Sequence, residues 1–115
     1  MIATPLSWLP TVILYRDTWF DKIVKNHVEM VGKENIVRAV VSSPTVVCRG
    51  TANPTYLVFL DSSIRSPGGT APLTVYVDPS HRIVVSAYYN RSFARITPDQ
   101  VVWHPSPNPK TKRSG

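Results

Sequence analysis

The histidines and the cysteine are the side chains of this sequence best suited to acid, base, nucleophilic or metal chemistry. His27, His81 and His104 are far apart, show no H-x-x-x-H spacing, and are accompanied by no C-x-x-C pair. Cys48 is the one cysteine, so no intrachain disulfide can form, and its β-rich surroundings predict a buried strand residue. The sequence therefore predicts neither a metal site nor a cofactor.

His27 is the candidate acid or base. It follows Ile23 by four residues and Val24 by three, at the edge of a predicted apolar helix stripe, where a histidine is often only packed and hydrogen-bonded. Beside a basic and aromatic surface, however, an imidazole can move a proton at the 2′-oxygen or the leaving 5′-oxygen of RNA. A nearby cation then stabilises the phosphorane, and the RNA is cleaved without a metal. Both interpretations stay open from the residues alone.

The distribution of charge favours a polyanionic partner. The 115 residues hold 13 lysines and arginines against 7 aspartates and glutamates, a formal net charge of +6. Bases and acids are equal in number over residues 1–34, so the whole excess lies in residues 35–115. This asymmetry indicates a nucleic-acid-binding surface, and the alternative is a basic protein kept soluble by its charge.

The apolar runs are too short to span a membrane, and the lone cysteine fits a reducing compartment. We therefore expect a cytoplasmic protein that makes no membrane contact.

Two helices are predicted in the first half of the chain. Apolar residues recur every three or four positions over 18–31, and Gly32 suits the position just past a helix end. A second helix is expected from residue 33 or 34 to Val41, because Ser42–Pro44 would stop it.

Four β-rich runs follow these helices, separated by clusters of Gly, Pro, Asn and Ser. They cover residues 45–49, 55–61, 73–77 and 83–89. The predicted fold class is α+β, with two N-terminal helices packed on one face of an antiparallel sheet of four or more strands. We expect an N-terminal arm at 1–17, the folded domain at 18–103, and a disordered basic tail at 104–115.

The last two runs predict a hairpin with two different faces. We expect Val77 to pair with Ile83, which places Thr74 opposite Ser86. Alternation then directs one aliphatic set of the last strand, Ile83, Val85, Ala87 and Tyr89, towards the helices. The other face carries a polar and aromatic patch formed by Thr74, Tyr76, Ser86 and Tyr88. This patch is the candidate site.

Short motifs along the chain occur in an order that resembles a known nuclease group. They are HVEM at 27–30, ENI at 34–36, SP at 43–44, YLV at 56–58, LTVYV at 73–77 and IVVSAY at 83–88. This order is similar to the phage and prokaryotic nuclease-like domains grouped with barnase, EndoU, colicin-type RNases and RelE, the BECR fold group. The chain departs from the pattern of that group in two places. Val28 replaces the usual proline after the histidine, and Thr45 stands where an acidic residue is common.

The resemblance implies a metal-independent ribonuclease, often used as a toxin, whose helix histidine and last-strand Ser lie near a shared cleft. The predicted catalytic residues are His27, Ser86 and Arg49. The predicted substrate-binding residues are Tyr56, Thr74, Tyr76, Tyr88, Arg65 and Arg91.

RNA is the expected partner of such a domain. Because a ribonuclease endangers its host, we also expect an acidic antitoxin or immunity-like protein to cover the face of Ser86, Tyr88 and Arg49. Two alternatives remain open: a non-catalytic nucleic-acid-binding module, and a phage structural or regulatory interaction protein.

Overall fold

The computed structural model describes residues 1–105, and the predicted tail lies outside the described residues from position 106 onward. The fold is α+β, with two helices, a two-stranded sheet and a five-stranded antiparallel sheet. The strands are β1 (Ile2–Ala3), β2 (Thr11–Val12), β3 (Val46–Arg49), β4 (Leu57–Arg65), β5 (Pro72–Asp78), β6 (Ile83–Tyr89) and β7 (Val101–Trp103). The helices are α1 (Thr18–Val24) and α2 (Glu34–Ser42), and three 3₁₀ turns cover Val28–Met30, Arg91–Phe93 and Pro98–Gln100.

The predicted arrangement with both helices at the start is wrong, because strands come first. β1 and β2 pair in antiparallel fashion before α1 begins. Prolines at positions 5 and 10 interrupt any helix there, and Leu6 and Leu9 between them turn inward. Ile2, Leu6, Leu9 and Val12 are all buried in the main core. Residues 1–17 therefore contribute directly to the packing of the domain.

The five-stranded sheet has the order β6-β5-β4-β3-β7. Its main core lies between one sheet face and the helices, and it contains Phe59, the largest fully buried side chain. A smaller core on the opposite face joins Cys48, Val58 and Leu60 to Phe93 of the turn after β6. The sheet face opposite the helices is thus partly covered by the segment that follows β6. Among residues 1–105, no helix combines the length and the apolarity needed to cross a membrane.

Helix α1 differs from the predicted helix in its winding and its length. Thr18–Val24 is a π-helix, whose hydrogen bonds join residues five apart, so a three-and-four spacing does not stay on one face. Trp19 and Ile23 are buried, whereas Phe20 is 52% exposed and Val28 is 76% exposed. His27 has left the helix, with φ −134° and ψ 79°. The predicted single apolar stripe is therefore wrong.

The β5–β6 register differs from the predicted one because β6 contains a bulge. Val77 pairs with Val84, and Tyr76 pairs with Ser86, so Val85 is an extra residue without a partner on β5. The bulge changes which side chains face the helices. Val84 and Ala87 both lie in the main core, although strict alternation would separate them.

Thr74 therefore lies opposite Tyr88, and the predicted pairing with Ser86 is wrong. The bulge also removes Val85 from the aliphatic set expected to meet the helices.

Candidate functional site

A pocket of about 300 Å³ opens on the sheet face that is turned away from the main core. Strands β5 and β6 supply one aromatic wall through Tyr76 and Tyr88, and the sheet register aligns Tyr76 with Ser86. We call this concavity the tyrosine pocket. Its lining residues are Lys22, Gly50, Thr51, Ala52, Asn53, Tyr56, Tyr76, Val85, Ser86, Tyr88 and Asn90.

The loop between β3 and β4 forms the opposite wall and positions Tyr56. The Gly50 amide donates to the Tyr56 carbonyl at 2.9 Å, and the Tyr56 amide donates to the Asn53 carbonyl at 3.1 Å. The Asn53 side-chain oxygen accepts from the amide and hydroxyl of Thr55. A side chain at Gly50 would overlap the Asn53 carbonyl oxygen, so this tight loop requires glycine.

His27, Tyr88 and Tyr76 form a continuous stack of rings at the edge of the pocket. The His27 and Tyr88 centroids are 4.5 Å apart at 15°, and the Tyr88 and Tyr76 centroids are 5.1 Å apart at 16°. β6 is an edge strand, with β5 on one side and helix α1 packed against it. Tyr88 therefore lies between Tyr76 and His27, and its ring faces are already occupied. Tyr88 is a predicted substrate-binding residue, but a nucleobase cannot stack on its ring unless this arrangement opens.

Hydrogen bonds beneath the stack hold the two tyrosines in place. Tyr76 Oη accepts from Asn90 Nδ2 at 2.7 Å and lies 3.3 Å from Thr74 Oγ1. Thr74 is fully buried and donates to the Tyr88 carbonyl at 2.7 Å. Thr74 is thus a support for the pocket and does not reach its surface, which differs from its predicted contact with substrate.

Burial and the neighbouring Tyr76 hydroxyl raise the pKa of Tyr88 to about 12, and the contact with Asn90 opposes this shift. Tyr88 is consequently a neutral phenol near pH 7, which excludes it as a general base there.

His27 does not line the tyrosine pocket itself; it stacks on Tyr88, with part of its ring accessible. Its side chain is 30% exposed, and Nδ1 is 4.0 Å from the Glu29 carboxylate. Ser86 lines the tyrosine pocket, but no hydrogen bond within residues 1–105 joins it to His27. Ser86 thus lies in the pocket and His27 lies against Tyr88, without a hydrogen bond between these two predicted catalytic residues.

Arg49 ends β3 with an exposed side chain and does not line the pocket. Its charge acts on Asp99, whose carboxyl pKa is lowered first by the Thr97 hydroxyl and to a smaller extent by Arg49. Arg49, the cation predicted to stabilise the phosphorane, therefore lies towards the β7 side of the sheet and away from the pocket.

The other two predicted arginines also lie away from the pocket lining. Arg65 Nε donates to the Ser62 carbonyl at 2.8 Å, and its terminal nitrogen donates to the Thr70 carbonyl. These bonds fix the loop between β4 and β5. Arg91 is exposed at the start of the turn after Asn90.

Lys22 is the cation that the structure does bring to the pocket, and the sequence analysis missed it. It lies in the segment whose charges cancel, so the charge distribution directed attention elsewhere. Tyr56 and Ser86 also line the pocket, and neither their hydroxyls nor the Lys22 ammonium is hydrogen-bonded within residues 1–105. The pocket thus combines one lysine, several hydroxyl-bearing side chains and an aromatic wall.

Groups of three or more potential metal ligands are absent from residues 1–105. Comparisons of the chain with protein-family models, with curated proteins and with solved structures found no match.

Proposed function

We propose that this chain binds single-stranded RNA and accepts one nucleotide in the tyrosine pocket. The observation that carries the proposal is a concavity of about 300 Å³ in which an aromatic wall meets the Lys22 ammonium. Single-stranded RNA is recognised by this combination, because bases stack on aromatic rings while cations bind the phosphates.

Tyr56 is the ring best placed to receive the base. Tyr76 and Tyr88 are stacked on each other, whereas Tyr56 makes no ring contact among residues 1–105. Its backbone is held at both its amide and its carbonyl by the β3–β4 loop, so little ordering is needed on binding. The base stacks on Tyr56, the phosphate contacts Lys22, and the Ser86 hydroxyl hydrogen-bonds the base or the sugar.

Replacing Tyr56 by alanine is expected to weaken binding of a fluorescein-labelled single-stranded RNA about 5- to 150-fold, since one stacked base contributes roughly 1–3 kcal/mol. Tyr56→Phe retains the ring and should bind nearly as well as the unchanged chain. Fluorescence anisotropy at one fixed salt concentration measures both variants. Equal affinities for Tyr56→Ala and the unchanged chain would exclude Tyr56 as the stacking platform.

Removing the Lys22 charge is expected to change the salt dependence of RNA binding. A phosphate contact to a single strand contributes about 0.7 to the slope of log affinity against log salt concentration. Lys22→Gln should lower the slope by about that amount. Lys25→Gln removes an exposed lysine of the same helical segment that does not line the pocket, and it should leave the slope largely unchanged. Equal effects of the two variants would contradict a specific role for Lys22.

Metal-independent cleavage of the bound RNA is a second candidate function, and the position of His27 favours it. The imidazole is partly exposed and stacked on Tyr88 of the pocket wall, so an RNA strand that leaves the pocket past Tyr88 would meet a titratable group. His27 would take or give the proton at the 2′-oxygen or 5′-oxygen, with Lys22 in place of Arg49 as the cation. The resemblance of the sequence motifs to toxin-like nuclease domains of the barnase–EndoU–colicin–RelE group is a further reason to propose RNA cleavage.

A cleaving domain of this kind would act on RNA in the cytoplasm and would require an inhibitor. We expect an acidic antitoxin or immunity-like protein to cover Ser86 and Tyr88, because the chain carries a net charge of +6. Expression of the chain alone should inhibit growth, and co-expression of the inhibitor should restore it. Association measured by calorimetry should weaken as salt rises. Normal growth on expression alone would remove the reason to expect an inhibitor.

A further inference from the structure

A second concavity, of about 270 Å³, lies between the start of helix α1 and the first turns of helix α2. It shares no lining residue with the tyrosine pocket. We call it the arginine groove, and the residues that define it are Tyr15, Arg16, Trp19, Phe20, Glu34 and Arg38.

Two aromatic side chains of the groove are unusually accessible. Tyr15 is 51% exposed and Phe20 is 52% exposed, while Trp19 between them in sequence is buried in the core. The Arg16 guanidinium carbon lies 6.0 Å from the centre of the Phe20 ring, which allows a cation–π contact. Tyrosine and arginine are enriched among the residues that dominate binding energy at protein interfaces. The arginine groove thus has the composition of a protein-binding site.

The arginine groove contains one more guanidinium group than carboxylate groups, so it has the charge to bind one further carboxylate. Arg38 Nε donates to Glu34 Oε2 at 3.1 Å, and this contact orients the guanidinium. Within residues 1–105, the terminal nitrogens of Arg38 and the side-chain nitrogens of Arg16 make no hydrogen bond. Two guanidinium groups against one carboxylate carry a net positive charge. A second carboxylate would complete the pairing with charge-assisted hydrogen bonds.

We propose that the arginine groove binds a partner-protein segment that carries one carboxylate between apolar residues. An aspartate or glutamate carboxylate of that segment lies between Arg16 and Arg38, and its apolar neighbours cover Tyr15 and Phe20. This interface is separate from the RNA site and does not depend on the proposed function.

The surrounding charge favours a protein segment over a nucleic acid. Residues 1–34 carry as many acids as bases, and Asp17 and Asp21 flank the groove residues in the same segment. A polyphosphate backbone extending from the groove would meet these carboxylates, whereas a single carboxylate contacts the arginines alone.

The test uses the full chain and two short peptides, acetyl-Leu-Glu-Phe-amide and its Gln counterpart. In ¹⁵N-resolved NMR titrations, the Glu peptide should shift the side-chain N–H signals of Arg16, Arg38 and Trp19 in a saturable manner. The Gln peptide should bind about tenfold more weakly, since it lacks the charge-assisted bonds. Arg38→Gln should cause a similar loss for the Glu peptide. Arg82→Gln removes a charge in the β5–β6 turn and should have little effect.

Two results would overturn the proposal. Equal binding of the Glu and Gln peptides would show that the arginines do not recognise a carboxylate. A single-stranded RNA that shifts the same three side-chain signals at a lower concentration than the Glu peptide would make the groove part of a nucleic-acid surface.

Discussion

Replacing His27 by phenylalanine is expected to lower the rate of metal-free RNA cleavage by about 10²- to 10⁴-fold, the usual contribution of a general acid or base. Phenylalanine can keep a ring stacked on Tyr88, so the wall of the tyrosine pocket is retained. Affinity for RNA should therefore change little. A fall in rate without a fall in affinity separates proton transfer from binding.

The assay is incubation of the purified chain with tRNA, rRNA and mRNA in EDTA, followed by analysis for 2′,3′-cyclic phosphate ends. His81→Phe is the matched control, because His81 is exposed in the β5–β6 turn, where Nδ1 lies 2.8 Å from the Asp78 carboxylate. Cleavage that persists in His27→Phe would exclude His27 as the acid or base. Absence of cyclic phosphate with all three RNAs would leave RNA binding as the only proposed activity.

Replacing Phe59 by alanine should destabilise the fold by about 3–5 kcal/mol, which approaches the whole stability of a small domain. Phe59 lies on the central strand β4 and is fully buried. Its neighbours across the sheet are Val47 on β3 and Val75 on β5, both also fully buried. The cavity left by the ring cannot easily close, because these neighbours are fixed in the sheet ladder.

Urea unfolding followed by tryptophan fluorescence or circular dichroism measures this loss. Phe59→Leu fills most of the same volume and should cost much less than Phe59→Ala. If the two variants were equally stable, the region around Phe59 would have to repack more freely than a close-packed core allows.

The sequence predicted the elements whose pattern is local and regular. Helix α2 was expected from residue 33 or 34 to Val41 and is observed at Glu34–Ser42, because its apolar residues repeat at ordinary α-helical spacing. β6 was expected and is observed at Ile83–Tyr89, where β-branched and aromatic residues are continuous. Strong local propensity and clear boundary residues decide such elements.

The missed features depend on contacts between distant parts of the chain. The π-helical winding of α1 and the bulge at Val85 each shift side chains by one position. A prediction from the spacing of apolar residues assumes a regular α-helix and a regular strand, so it misses both shifts. The pairing of β1 with β2 joins two segments of two residues each, too short for a periodic signal. Lys22 was missed because it lies in the segment whose charges cancel. Thr74 was assigned to the surface because alternation along β5 does not show that the turn after β6 packs against this strand.

The buried thiol of Cys48 can be used to measure how often the native protein opens locally. The side chain is fully buried on the sheet, and burial raises the pKa of its thiol to about 11, so the native protein holds almost no thiolate near neutral pH. Alkylating reagents react with the thiolate, and the sequence holds one cysteine only. The rate of labelling at pH 8 therefore reports how often the turn that carries Phe93 moves away from the sheet and uncovers Cys48.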